Sequence, residues 1–133
     1  REVPAESGHI VQDTTVIYPG TIDGEYYMTK GHFHANDQSA EVYLCLRGRG
    51  YLLMQTRNGE NDMREYRPGT SIYVPPGWAH RSINTGNEPL VFFALYPADS
   101  GHDYGSIAEE GFWVRVFRGA DGQPMIVPRG IAR

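Results

Sequence analysis

Three histidines and one glutamate stand at spacings that suit a metal ion. His32 and His34 lie two residues apart in Gly31-His32-Phe33-His34, Glu41 follows, and His80 closes Gly77-Trp78-Ala79-His80. Residues i and i+2 of an extended strand point to the same face, so the first two rings can converge on one point. Neutral ring nitrogens plus one anionic oxygen are what a divalent cation takes as ligands. A lone His-x-His pair is more simply read as two residues meeting local hydrogen bonds. Glu41 and His80, each in a strand-like stretch of its own, turn the balance toward a metal centre.

The elements that must position these side chains are short strands. Gly and Pro punctuate the chain, and between them runs of strand-forming residues span 14–18, 25–29, 41–47, 51–56, 62–66, 71–74, 80–84, 90–96 and 113–117, with 125–127 a weaker candidate. Asn58-Gly59 between two such runs is a strong hairpin signal. Only residues 107–110 suggest a helical turn. Many short strands with turn chemistry between them predict an all-β sandwich or barrel in a single domain, 1–133. In one strand Glu41, Tyr43 and Cys45 share a face opposite Val42, Leu44 and Leu46. In another Phe92, Ala94 and Tyr96 oppose Val91, Phe93 and Leu95. Both faces are largely apolar, which predicts cover on both sides. A barrel interior supplies one cover, and either a partner subunit or a second sheet of the same chain supplies the other.

Composition narrows the class. A net charge of −4, from 12 basic and 16 acidic residues, argues against a nucleic-acid partner, which needs a basic face. No apolar run approaches the roughly 18 residues of a membrane span. The single Cys45 excludes an internal disulfide and, within an apolar strand, reads as a buried hydrophobe in a reducing compartment. The expectation is a cytoplasmic small-molecule protein. The chain opens on Arg1 rather than Met, and residues 1–13 are expected to be the remnant of a longer N-terminal segment.

The run Gly69-(five)-Pro75-x-Gly77-(two)-His80-(three)-Asn84 is similar to the second sequence motif of the cupin superfamily, and Glu41-(six)-Gly48 to the end of the first. Pro75, Pro76 and Gly77 bend the chain sharply before His80. The resemblance implies a cupin jelly-roll β-barrel. The six residues between His34 and Glu41 exceed the usual cupin spacing. With that longer loop, Gly-His-Phe-His-(six)-Ala-Glu-Val-Tyr resembles the cupin-type phosphoglucose isomerases best known from archaea. So do Thr14 to Gly20, Thr29-Lys30-Gly31, Tyr73-Val74-Pro75-Pro76, Trp78 to Arg81, and the run Tyr96-Pro97-Ala98-Asp99-x-Gly101-His102-Asp103-Tyr104-Gly105.

This family resemblance implies interconversion of glucose 6-phosphate and fructose 6-phosphate, a homodimer, and one divalent ion held by His32, His34, Glu41 and His80. Iron(II) or manganese is favoured, although the donor set also suits nickel and zinc. It also implies phosphate binding by Thr15, Thr29, Gly31 and Tyr96, all of which offer donors. Lys30 alternates with Thr29 and Gly31, so in a regular strand it would face away. Tyr43, on the strand face of Glu41, is expected to donate to a substrate oxygen or to orient the carboxylate. His102 and Tyr104 lie in a Gly-rich loop, where functional residues often sit; His102 is the candidate for assisting ring opening and Tyr104 for contacting substrate. Proton transfer through a cis-enediol with Glu41 as base is the expected route, and a hydride shift is its competitor. Two rival classes share the fold: a metal-dependent cupin oxygenase, which would consume oxygen, and a non-catalytic sugar-binding cupin.

Overall fold

The computed structural model describes residues 2–130. Its strands are β1 (Ile10–Ile17), β2 (Thr21–Ile22), β3 (Glu25–Tyr26), β4 (Glu41–Arg47), β5 (Gly50–Thr56), β6 (Asn61–Tyr66), β7 (Ser71–Val74), β8 (Trp78–Asn84), β9 (Leu90–Pro97), β10 (Val114–Arg118) and β11 (Pro124–Pro128). The short helix α1 (Gly105–Glu110) joins β9 to β10. Three antiparallel sheets form, in the orders β1-β9-β4-β7, β6-β5-β8 and β11-β10-β3-β2.

Strand periodicity explains how the sheets stack. Tyr43 and Cys45 of β4, Leu52 and Met54 of β5, Ile72 and Val74 of β7, and Phe92 and Ala94 of β9 bury together, so the first two sheets close on one interior. The opposite face of the β6-β5-β8 sheet, with Leu53, Ala79 and Ile83, packs on Tyr26, Val116, Ile107 and Phe112. Within β8 this alternation leaves His80, Ser82 and Asn84 facing inward. Asn84 is fully buried; its amide nitrogen donates to the Ile17 and Glu88 carbonyls at 2.8 and 2.9 Å, and its oxygen accepts from Gly86 N–H at 2.9 Å. This one side chain ties the end of β1 to the β8–β9 turn, which gives the motif asparagine a physical role. Gly48 turns β4 into β5 at φ 86°, and a Cβ there would sit 2.5 Å from the Pro89 carbonyl oxygen.

Several expectations need revision. The strand expected over 25–29 stops at Tyr26, with a single bridge from Met28 to Ile83 in its place, and the segment that follows is held by single bridges from His32 to His80 and from Phe33 to Asp103. Strand β1 starts at Ile10, earlier than expected, because it follows β9 in register as far as Pro97. The outward face of the first sheet is not covered by a second sheet among the described residues: Leu46 is 50 % exposed, Val16 49 % and Tyr73 58 %.

Candidate metal centre

The four candidate ligands reach the centre from three supports, the His32–His34 segment, β4 and β8. Glu41 opens β4 with its side chain buried inward, as the alternation with Tyr43 and Cys45 demands. His80 points inward from β8. His32 is bridged to His80 by two main-chain hydrogen bonds, His32 N–H to His80 O at 3.3 Å and the reverse at 3.1 Å. One ligand atom from each of His32, His34, Glu41 and His80 lies within 4.8 Å of all the others.

The geometry suits a cation. His34 Nδ1–H donates to the Ser39 carbonyl at 3.0 Å, which directs Nε2 at Glu41 Oε2, also 3.0 Å away. Ser39 belongs to the long loop between His34 and Glu41, so the extra residues have a structural use: they fix which nitrogen of His34 faces the centre. His80 Nδ1 is similarly occupied by the Trp78 carbonyl at 3.3 Å. Its Nε2 stands 3.0 Å from Glu41 Oε2 but without hydrogen-bond geometry. The Nε2 atoms of His32 and His80 are both buried without a hydrogen-bond partner. Orphaned nitrogens beside a buried carboxylate are costly unless something binds them, and a divalent ion satisfies all of them at once.

The protonation states of Glu41 and His32 suit the same role. Burial opposes ionisation of Glu41, yet the His34 hydrogen bond and the two adjacent imidazoles hold it down to about 2. Burial, then the neighbouring His80 and His102, push His32 down to about 3, so it is a neutral donor. Burial also works against a charged His34, but its bonds to Glu41 and the Ser39 carbonyl raise it above the ordinary value. Tyr43 is buried inward beside them, its ring 5.7 Å from that of His80 and edge-on. Burial, followed by the charge of Glu41, drives its phenol well above the usual value, leaving it a hydrogen-bond donor.

A cavity of about 230 Å³ opens beside the four ligands. Its wall includes Thr15, Thr29, Gly31 and Tyr96, then His102 and Tyr104 from the loop after β9, with His32, Glu41, Tyr43 and His80 on the metal side. His34 alone of the predicted site residues is not part of that wall. Thr29 accepts from Ser82 N–H at 3.0 Å and keeps its own hydroxyl proton for a ligand. His102 and Tyr104 stack at 5.6 Å, and both lie edge-on to His32. Burial lowers His102 below its ordinary value.

Sequence reasoning missed five wall residues, Asp13, Lys30, Ser82, Phe92 and Ala94, and of these Lys30 and Asp13 carry charge. Lys30 was expected to face away, yet it lines the cavity with Nζ 4.9 Å from the Tyr104 ring centre. No regular strand runs there, because Gly31 adopts φ 77° and breaks the alternation. A Cβ on Gly31 would also stand 2.6 Å from the Phe112 ring and 3.0 Å from His80 O, so only glycine fits. Asp13, on the inward face of β1, accepts a hydrogen bond from Tyr96. The period-two pattern with Thr15 was the available signal for it.

Residues 3–124 match the family model of glucose-6-phosphate isomerase. The chain is 55 % identical over 111 residues to the glucose-6-phosphate isomerase of Thermococcus litoralis, covering 84 % of this chain and 58 % of that protein. It is 50 % identical over 126 residues to that of Thermococcus kodakarensis, covering 95 % of this chain and 66 % of the relative. The chain thus spans about three fifths of the length of these relatives. Among solved structures, Bacillus subtilis oxalate decarboxylase, described for its Mn(II) centres, superposes with a TM-score of 0.57 at 27 % identity, over 68 % of this chain and 22 % of that one. The barrel is therefore of the cupin kind, and the chain belongs to the glucose-6-phosphate isomerase family.

Proposed function

We propose that this chain catalyses the metal-dependent interconversion of glucose 6-phosphate and fructose 6-phosphate, as a single cupin domain. The observation that carries this reading is one cavity that has three of the four candidate metal ligands in its wall and, beside them, the hydroxyls of Thr15, Thr29 and Tyr96 and the Gly31 backbone. Names of the relatives supply the substrate; the cavity supplies groups of matching chemistry.

In this reading Thr15, Thr29, the Gly31 backbone and Tyr96 hold the phosphate, with Lys30 adding the one lysine or arginine of the wall among the described residues. A divalent cation held by His32, His34, Glu41 and His80 would polarise the sugar carbonyl. Glu41 is the base that moves a proton between carbons 1 and 2 through a cis-enediol. Tyr43 donates to a sugar oxygen from the buried side. His102 exchanges a proton with the ring oxygen on opening, and Tyr104 packs against it and closes the wall over the substrate.

Iron(II) or manganese is the ion we favour, on the His₃Glu donor set and the Mn(II) centres of the oxalate decarboxylase with the same fold. A homodimer is supported by the open apolar face around Leu46, Val16 and Tyr73. A cytoplasmic setting is supported by the single reduced Cys45 and by a phosphorylated substrate. No helix among the described residues is long and apolar enough to cross a membrane, and the acidic balance disfavours nucleic acid.

The test is a coupled assay on fructose 6-phosphate with and without chelator. Conversion that stops on chelation and returns with iron(II) or manganese is expected. No conversion at any metal loading, or oxygen consumption in its place, overturns the reading.

A further inference from the structure

Arg57 follows β5 in the β5–β6 hairpin turn and belongs to neither the metal set nor the cavity wall. Its guanidinium nevertheless makes three contacts toward the site. Nη1 donates to Ser106 Oγ at 3.0 Å, Nη2 to Asp103 Oδ2 at 3.0 Å, and Cζ lies 4.0 Å from the centre of the Phe33 ring. Phe33 stands between the metal-ligand candidates His32 and His34. Asp103 stands between His102 and Tyr104. These two intervening residues are themselves joined: Phe33 N–H donates to Asp103 O at 3.1 Å, and Asp103 N–H to Phe33 O at 2.8 Å.

We propose that Arg57 is a positioning residue, clamping the loop that carries His102 and Tyr104 onto the His32–His34 segment and so holding those two rings over the cavity. Its consequence for turnover rests on the isomerase reading above; the clamp itself does not. The geometry favours more than a casual surface pair. A half-exposed ion pair alone contributes little, but a planar guanidinium that meets a carboxylate, a hydroxyl and a ring face is held from three sides. Asp103 also accepts from the N–H groups of Gly105 and Ser106 and from the Ser106 hydroxyl, so the clamp grips the start of α1 along with the loop. The other end of the loop has its own anchor, Asn36 N–H to Ser100 O at 2.8 Å, which does not involve Arg57. Loss of Arg57 should therefore loosen the His102–Tyr104 half and leave the Ser100 end in place.

The experiment compares wild type, Arg57→Ala and Arg57→Lys by amide hydrogen exchange, metal content and steady-state kinetics on fructose 6-phosphate. In Arg57→Ala, exchange at the Asp103 and Phe33 amides is expected to rise about tenfold. KM is expected to rise about tenfold with a smaller change in kcat, while bound metal per chain stays as in wild type. Arg57→Lys keeps the Asp103 pair only, and should restore part of both effects. Unchanged exchange in Arg57→Ala overturns the clamp. Faster exchange with unchanged KM overturns the positioning role, and a KM rise accompanied by metal loss overturns it too, because the damage would then run through the ligands. A wild type without isomerase activity refutes the isomerase reading, while the exchange measurement still decides the clamp.

Discussion

The phenol of Tyr96 donates a 2.7 Å hydrogen bond to the carboxylate of Asp13, inside the cavity that we assign to a sugar phosphate. The two come from adjacent strands, β9 and β1, on the same inward face. Tyr96 is among the proposed phosphate donors, so its proton is already committed to an anion. A phosphate dianion must compete with Asp13 for that hydroxyl and also tolerate the neighbouring negative charge.

Replacing Asp13 by Asn keeps an acceptor for the Tyr96 hydroxyl and removes the charge. KM for fructose 6-phosphate should fall about threefold at low ionic strength, and the difference should shrink at high salt because the group is solvent-exposed. Initial-rate kinetics at two salt concentrations check this. An Asp13→Asn protein whose KM matches wild type at low salt would show that the carboxylate does not oppose the phosphate.

His80 and Thr29 should fail in different ways. His80 Nε2 is an orphaned buried nitrogen aimed at the metal set, so His80→Ala should lower metal affinity by about 100-fold or more and abolish turnover. Thr29 lines the cavity and accepts from Ser82 N–H, and it is not one of the four candidate ligands. Thr29→Ala should leave metal content intact and raise KM about tenfold, with kcat changed less. Metal analysis beside kinetics separates the two, and unchanged phosphate-sugar affinity in Thr29→Ala removes that residue from the phosphate site.

How far these residues could be read in advance depended on backbone regularity. Glu41, Tyr43 and His80 lie in β4 and β8, where period two assigns a face, and they face inward as the pattern required. Glycine-proline punctuation located most strands for the same reason. Lys30 escaped, since a positive φ at Gly31 reverses the facing of its neighbours and no spacing rule reports φ. The purpose of the long loop escaped as well: Ser39 acts through its carbonyl, which every residue has, so its identity carries no signal. Arg57 acts across 46 residues of chain to Asp103, a distance at which a single sequence shows no pairing.

Acid should destabilise the metal-free protein. Glu41 is near 2 when folded against an ordinary 4.5, and His32 near 3 against 6.5, so between these limits the unfolded chain binds more protons. Both groups therefore contribute stability above their unfolded values, and that contribution is lost as pH falls from about 6.5 toward 2. His34, raised when folded, acts in the opposite sense, contributing below 6.5 and losing that contribution as pH rises through its folded value. Three depressed groups, with His102 lowered by burial as the third, against one raised group give a net loss on acidification. Urea midpoints of chelator-treated protein at pH 7.5, 5 and 3.5 should decline in that order. Added metal should raise the midpoint most at pH 7.5, since protons compete for the same ligands. A midpoint that is flat across the series contradicts the charge arrangement described for His32 and Glu41.

The route of hydrogen between carbons 1 and 2 is open to a direct measurement. If Glu41 carries the proton, its carboxylate must take it from one carbon and return it to the next. Glu41 is 4 % exposed but lines the cavity, so exchange with solvent competes with return but is not shut off. Running the conversion of fructose 6-phosphate in deuterated water should then place partial label at carbon 2 of glucose 6-phosphate. Substitutions that loosen the loop, Arg57→Ala among them, should increase the labelled fraction by admitting water. A hydride passing directly between the carbons never meets solvent, so it predicts no label in wild type and none in the loosened variant. Absence of label in both would remove Glu41 from the role of base and leave it as a metal ligand alone.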